Sequence, residues 1–453
     1  MRPYWWLYKG FEVKDSGSGP KKVFIRDFPK DLESIARCNP TPMYLINADR
    51  IIENIQSVRE AFSLQYPGIA EIHFAMKECH VPQVLKVIIE QGCGIDAASP
   101  NEVRLALRLG VAPEKIIHTS PSLSEQNLRE LLSAGVRINI DSFSQARALV
   151  RVWQLSDAPA AKLSIRLNPG IGAGGDPYSV TGGLRSPQGV PIKFGVTEEV
   201  ALKIVEYLHE NALPVDTLHF HIGSGWLDPE NIFREALRKL SRFYAMLSEE
   251  LGTVQRIDVG GGPGVRSRAG QHSFCWKEYV SVICECFDEA GIKPEVLMLE
   301  PGDSLVLDAG VFLTSVNAVE EKNGVEHAYV DAGMGSFPAV RLYGEWHEIV
   351  NVSRPYGRLK EYAVDGNCCE SGDSFTLDRL RPLEEVQEGD VLAFLDATGF
   401  AEQSFNYCLW GRAHIAMRQG DRLVPCTSGA ESLDRILSRF ETSLSAFHDD
   451  LDR

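Results

Sequence analysis

His73-Phe74-Ala75-Met76-Lys77 is the stretch whose reading decides the fold. A short apolar run of this kind suits a strand buried in a parallel sheet, and because it ends on a lysine it delivers an amine to the point where the strand stops. Two readings are open at Lys77. It is either a lysine that snorkels to solvent, the ordinary fate of the residue type, or an amine desolvated for Schiff-base chemistry with a carbonyl compound. On this stretch alone the first is favoured. The sequence on either side reverses that preference.

Strand-like and helix-like segments alternate from here on. The strand candidates are 73–76, 94–97, 115–118, 137–140, 163–167, 218–222, 256–259 and 296–299. Amphipathic pieces such as 81–90, 125–133, 198–210 and 229–250 lie between them, and a helix from Asp49 places Ile51, Ile52, Ile55, Val58 and Phe62 on one face. Eight such units over about 250 residues predict a (β/α)₈ barrel. In order, the strand ends carry Lys77, Asp96, His118, Asp141, Asn168, His221, Gly260-Gly261-Gly262 and Glu300, with Arg166 inside the fifth. In a barrel all eight carboxyl ends point the same way, so these groups form a ring on one face. Some of them, such as Asp141, could equally cap the following helix.

The flanks read differently. Residues 1–42 hold a Gly/Ser-rich turn, a β-like run at Val23-Phe24-Ile25 and the break Asn39-Pro40-Thr41-Pro42. Past Gly302 the chain is β-rich with turns, at 306–316, 327–330, 360–364, 391–395 and 414–418, and a terminal helix is expected over 432–447. The predicted organisation is an N-terminal β arm (1–42), a barrel (43–305) and a C-terminal β-sandwich or β-barrel domain (306–453) that the arm completes.

Composition bounds the function. The chain has 453 residues, 44% hydrophobic and 24% charged, which is ordinary for a globular protein with two cores. A net charge of −16 disfavours nucleic acid and anionic membrane surfaces as partners. No segment has the order of a secretory signal or membrane-spanning length, so a cytoplasmic protein handling small molecules is expected. Among ten cysteines, the close spacings Cys284-x-Cys286 and Cys368-Cys369 suit neither a zinc site nor a disulfide framework, and no metal is expected.

Asp258-Val259-Gly260-Gly261-Gly262-Pro263-Gly264 supplies backbone N–H groups that can close on an anion, at the strand where barrels place their phosphate sites. His221-Ile222-Gly223-Ser224-Gly225 adds a hydroxyl and more glycine. A lysine, a phosphate cup and a carboxylate on one face suggest pyridoxal phosphate bound through Lys77, with Glu300 keeping the pyridine nitrogen protonated. Otherwise Glu300 would merely pair with an arginine, the less favoured reading.

Several motifs carry a resemblance. Phe74-Ala75-Met76-Lys77, Ile95-Asp96-Ala97-Ala98-Ser99, Asn168-Pro169-Gly170, Lys193-Phe194-Gly195, His221-Ile222-Gly223-Ser224-Gly225, Gly260-Gly261-Gly262, Glu300-Pro301-Gly302 and Cys369-Glu370-Ser371-Gly372-Asp373 run in order from about Thr41 to Arg412. Together they resemble the diaminopimelate decarboxylase group of fold-type III pyridoxal-phosphate decarboxylases. The resemblance implies an alanine racemase-like barrel with Lys77 bound to the cofactor, His221 stacked on its ring, and Ser224 with Gly260, Gly261 and Gly262 on its phosphate. It also implies Glu300 at the ring nitrogen, Asp96 near the lysine and Arg166 among the cofactor-facing groups. It implies further a homodimer with shared sites, in which Cys369 of one subunit protonates the carbanion in the other and Glu370 lies beside the substrate.

The departures bear on the substrate. Where the family continues Glu-Pro-Gly with arginine, this chain has Asp303, and the family's Arg-Pro-Ala-Leu-Tyr-Gly appears as Ala339-Val340-Arg341-Leu342-Tyr343-Gly344. Both arginines expected to grip a distal carboxylate are thus out of place, and Asp303 would repel one. The family's Gly-Ala-Tyr reads Gly399-Phe400-Ala401, while Tyr343 is retained. The expectation is decarboxylation of an amino acid, either a basic diamino acid or a conjugated one from a biosynthetic pathway, with Asp303, Arg341, Tyr343, Glu370 and Phe400 about the substrate. The alternatives are an amino-acid racemase on the same fold, against which Glu300 argues, and a non-catalytic cofactor-binding protein or partner subunit.

Overall fold

The computed structural model describes residues 11–14, 22–25, 29–156, 161–176, 179–267, 271–355, 358–376, 379–401, 403, 405, 408–429 and 431–438. They fall into two compact units, one holding Ile51–Arg266 with Gln271–Leu307, the other the N-terminal residues to Arg50 and the chain from Asp308 onward.

In the first unit eight parallel strands close into a barrel. Around the ring they are Ile69–Ala75, Gly94–Ala97, Ile116–Thr119, Arg137–Ile140, Lys162–Leu167, Val215–Phe220, Arg256–Asp258 and Val296–Leu299, the last pairing back onto the first. Nearly every residue of the short strands is buried, as parallel strands covered on both faces require. The expected strands are all present, with ends shifted by a few residues. Lys77 falls just beyond its strand, in the 3₁₀ turn Met76–Glu78.

Helices lie between the strands, and their starts follow local side-chain chemistry. Pro100–Arg108, Glu125–Ala134, Phe143–Trp153 and Glu198–Glu210 begin after Ser99, Ser124, Ser142 and Thr197, each of whose hydroxyls accepts a backbone N–H in the first turn. The cap before Phe143 is therefore Ser142 and not Asp141. The Asp141 carboxylate instead accepts the Gly195 N–H at 2.8 Å and lies 3.9 Å from the Arg166 guanidinium.

The second unit holds a nine-stranded sheet in the order Arg381–Glu384, Leu359–Asp365, Val325–Val330, Gly310–Lys322, Met43–Asn47, His414–Gln419 and Arg422–Pro425, with Val391–Leu395 branching from Gly310–Lys322 and Ile349–Asn351 pairing with Val391–Leu395. Met43–Asn47, which the sequence boundary put with the barrel, is a strand of this sheet, antiparallel to Gly310–Lys322 and parallel to His414–Gln419. All five of its residues are buried. On one pleat face Met43 and Leu45 join Leu313, Val391 and Ala393, and on the other Tyr44 packs 4.8 Å from Phe312, so only a central position covers both faces.

Met43–Asn47 is thus the N-terminal strand that completes the C-terminal domain. The earlier strands, Phe11–Lys14 and Lys22–Ile25, pair with each other as a separate two-stranded sheet. The break expected at 39–42 is present, and ahead of it lies a helix that the sequence reading did not expect, Pro29–Cys38, whose Leu32 and Ala36 join the same core one turn apart. Of the expected terminal helix, Leu433–Leu437 is observed; its continuation beyond 438 lies outside the described residues.

Candidate active site

The carboxyl ends of the barrel strands surround a cavity of about 190 Å³, lined among others by Lys77, Asp96, Arg166, His221, Ser224, Gly261, Gly262, Glu300 and Asp303. These groups come from six different strands or the turns after them; of the ring expected at one face of the barrel, His118, Asp141 and Asn168 are not among the lining residues. Lys77 stands at the cavity wall and is accessible to solvent. Gly260, expected on the phosphate, is not among the lining residues. Its N–H donates to Asp258 Oδ1 at 2.9 Å, and the Gly261 N–H donates to His221 Nδ1 at 3.2 Å.

The glycines are required by backbone crowding. A Cβ on Gly261 would come within 2.0 Å of the Glu300 carbonyl oxygen, and one on Gly262, at φ +110°, within 2.1 Å of the Gly223 carbonyl. The loop after the seventh strand therefore presses directly on the turns after the sixth and eighth.

Burial dominates the electrostatics. His221 accepts the Gly261 N–H at Nδ1, and burial, then the nearby Lys77 and Arg166, depress its pKa well below the usual histidine range, so the ring is neutral. Asp96 is raised by burial and drawn back by Lys77. Glu300 is raised by burial and then by Asp96, against which Arg166 and Lys77 pull. Arg166 itself is lowered by burial, opposed by Asp141, Glu300, Asp96 and Asp258, and its guanidinium stacks 4.7 Å from the Phe194 ring. A cationic arginine among several buried carboxyls keeps the cavity from becoming a purely acidic well.

Sequence reasoning passed over His219 and the side chain of Asp258. His219 Nε2 lies 3.3 Å from Glu300 Oε2, and single ligand-type atoms of His219, Asp258 and Glu300 all lie within 4.8 Å of one another. A signal was present: in a strand, residues two apart share a face, so His219 had to accompany His221.

The remaining expected site residues belong to the other unit. Cys369 is exposed. Its neighbour Cys368 is buried, and burial followed by Asp373 pushes that thiol up to about 12. The turn carrying Cys369 and Glu370 is shaped by Asp373, whose carboxylate accepts the N–H of Met334 at 2.6 Å and of Cys368 at 2.7 Å. Arg341 and Tyr343 lie in the short helix Ala339–Tyr343. The Arg341 guanidinium lies against Gly372, whose added Cβ would sit 3.3 Å from Arg341 Cζ. Phe400 ends the 3₁₀ turn Thr398–Phe400.

The cavity suits pyridoxal phosphate on grounds of its own. It offers an amine at Lys77, glycine backbone and the Ser224 hydroxyl at one wall, and a buried carboxylate, Glu300, whose Oε1 has no hydrogen-bond partner among the described residues. A barrel carrying this set at the carboxyl ends of its strands defines a pyridoxal-phosphate enzyme.

Comparison with known proteins narrows the class. The sequence model of the family described as "Pyridoxal-dependent decarboxylase, pyridoxal binding domain" matches residues 48–307. The diaminopimelate decarboxylase of Methanothermobacter thermautotrophicus is 36% identical over 84% of this chain and 87% of its own length. That of Aquifex aeolicus is 30% identical over 82% and 86%. The crystal structure of diaminopimelate decarboxylase from Helicobacter pylori complexed with L-lysine superposes with a TM-score of 0.82 at 26% identity, covering 91% of this chain and all of that one. The chain belongs to the pyridoxal-dependent decarboxylases, in the diaminopimelate decarboxylase-like group of fold type III. It is a pyridoxal-phosphate-dependent carboxy-lyase acting on an amino acid.

Proposed function

We propose that the substrate is an α-amino acid whose far end is cationic or neutral, and that it is not diaminopimelate. The carrying observation is Asp303, which lines the same cavity as Lys77 and Glu300 at the position where the resembled family has an arginine. A carboxylate there repels a second carboxylate and attracts an ammonium group. The group held in the cavity would supply the electron sink into which the bond to the departing carboxylate breaks.

The chain's residues divide the remaining work. Lys77 would hold the cofactor through its Nζ. Asp96, buried beside it, steadies the charge on the lysine. Neutral His221 would cover the ring face, Ser224 with Gly261 and Gly262 would take the phosphate, and Glu300 would accept from the ring nitrogen. Arg166 balances the buried carboxyls. Two copies of the chain pair so that Cys369 of one delivers a proton from Sγ to the substrate carbon in the other, with Glu370, Arg341, Tyr343 and Phe400 about the substrate. The exposure of Cys369 and the hydrogen bonds from Met334 and Cys368 that hold Asp373 in its turn support this reading. Among the described residues none of the ten cysteines forms a disulfide, which supports a reducing, cytoplasmic setting.

The test is a screen of amino acids with amine products read by mass spectrometry, on the wild type and on Asp303→Arg. The reading expects turnover of a diamino or uncharged-ended amino acid by the wild type and its loss in the variant. Efficient turnover of diaminopimelate by the wild type would refute it.

A further inference from the structure

His219 and Asp258 have no part in the chemistry above, yet both are fully buried beside Glu300. They are set there by strand register. Asp258 pairs with His219 on one side and with Met298, two residues before Glu300, on the other. His219 Nε2 lies 3.3 Å from Glu300 Oε2, and its Nδ1 has no partner among the described residues. Asp258 Oδ1 accepts the Gly260 N–H at 2.9 Å, while its Oδ2 is buried with no such donor.

We propose that His219 and Asp258 are positioning residues for Glu300: each presents a hydrogen-bond donor to its carboxylate, fixing its orientation and keeping it an acceptor toward the cofactor's ring nitrogen. This rests on the role of Glu300 given above. Two buried carboxyl groups this close cannot both ionise, so one of them keeps a proton. The surrounding charges decide which. Arg166 and Lys77 pull Glu300 toward the charged form against burial and Asp96. Asp258 is pushed up to about 7 by burial and then by Glu300 itself, with His219, the Gly260 N–H and His73 pulling the other way. Burial raises Glu300 at least as far, to about 8, but of the two only Glu300 lines the cavity, so a cationic ring nitrogen held there would keep Glu300 charged and leave the proton on Asp258, which donates it to Glu300.

His219 faces Asp258, Asp96 and Asp141, which favour its charged form, and Arg166, which opposes it, but burial outweighs them and brings it down to about 4. A neutral imidazole has one proton, and the only acceptor in reach among the described residues, Glu300 Oε2, places it on Nε2. The Glu300 carboxylate has about four lone-pair sites. Two are taken by His219 and Asp258, and the rest remain for the ring nitrogen.

Asp258→Asn separates this arrangement from its rivals, because asparagine keeps the shape, a donor to Glu300 and an acceptor for the Gly260 N–H while removing the acidic proton. Pyridoxal-phosphate affinity, the pH profile of the bound cofactor's absorbance and kcat are expected to stay near wild type in Asp258→Asn and His219→Gln. In Asp258→Leu and His219→Leu, where the donor is lost, affinity should fall about tenfold and the absorbance profile should shift. Infrared spectra of the full-length, cofactor-loaded wild type at neutral pH should show a protonated-carboxyl band that Asp258→Asn removes, and this readout does not depend on activity. Absence of that band would overturn the proposal, as would collapse of cofactor affinity in Asp258→Asn, or a stoichiometric divalent metal that is lost in His219→Gln. Failure of the wild type to take up the cofactor would instead refute the role of Glu300, and a band kept in Asp258→Asn but lost in Glu300→Gln would overturn the placement of the proton with that role intact.

Discussion

At the scale of single residues, the adjacent cysteines divide a structural and a chemical role. Cys368 is buried and its thiol is held protonated, whereas Cys369 is exposed on a turn that Asp373 pins. If Cys369 returns the proton, Cys369→Ala should lower kcat by roughly 10²–10⁴ with little change in cofactor affinity. Steady-state kinetics beside cofactor titration checks this. An unchanged kcat would remove Cys369 from the reaction. Much at this scale was legible in the sequence, because Lys77, Asp96, His221 and Glu300 stand at strand ends where periodicity alone places them on one face. For His219 only the face it shares with His221 was legible; its approach to Glu300 was not, since an inward strand residue looks like core until its neighbour on the next strand is known.

At the scale of elements, the turns after the strands hold the site, and they are separable from the helices that follow. Ser142 caps the helix Phe143–Trp153, while Asp141 beside it reaches across to Gly195 and Arg166. Ser142→Ala should cost about 1 kcal/mol of stability and leave activity intact. Asp141→Asn should instead disturb the cavity, because it uncouples Arg166 from its nearest carboxylate. Denaturant titration and kcat/KM on the two variants distinguish these outcomes, and a reversed pattern would contradict them. The sequence showed an acidic residue before a helix, which is the usual mark of a cap. Only the adjacency of strand Arg137–Ile140 to Lys162–Leu167 reveals why the serine next to it took that task. The same limit applies to Met43–Asn47. Its apolar run gave no hint of which sheet it enters, because pairing with residues almost 270 and 370 positions away is set by tertiary packing and not by local pattern.

At the scale of the whole molecule, the buried titratable groups tie stability to pH. His118, at the third strand end, is fully buried and held down to about 4 by burial. Its folded pKa lies below the unfolded value near 6.5, so the unfolded chain binds its proton first as pH falls. Stability from this group is present above about pH 6.5 and is lost toward pH 4, up to about 3 kcal/mol in all. The buried carboxyl of Asp258, raised to about 7, acts in the opposite sense, gaining stability as pH falls through that range. The difference between wild type and His118→Gln isolates the histidine. The wild type should lose stability relative to the variant between pH 6.5 and 4, and parallel curves by denaturant unfolding would exclude the effect.

The account as a whole depends on one amine. Reducing the cofactor-loaded protein with borohydride, digesting it and sequencing the labelled peptide by mass spectrometry reads where the cofactor was attached. The pyridoxyl group is predicted on the peptide carrying Lys77, with none in Lys77→Ala. A label on any other lysine, or no label in a wild-type protein that decarboxylates, would contradict it.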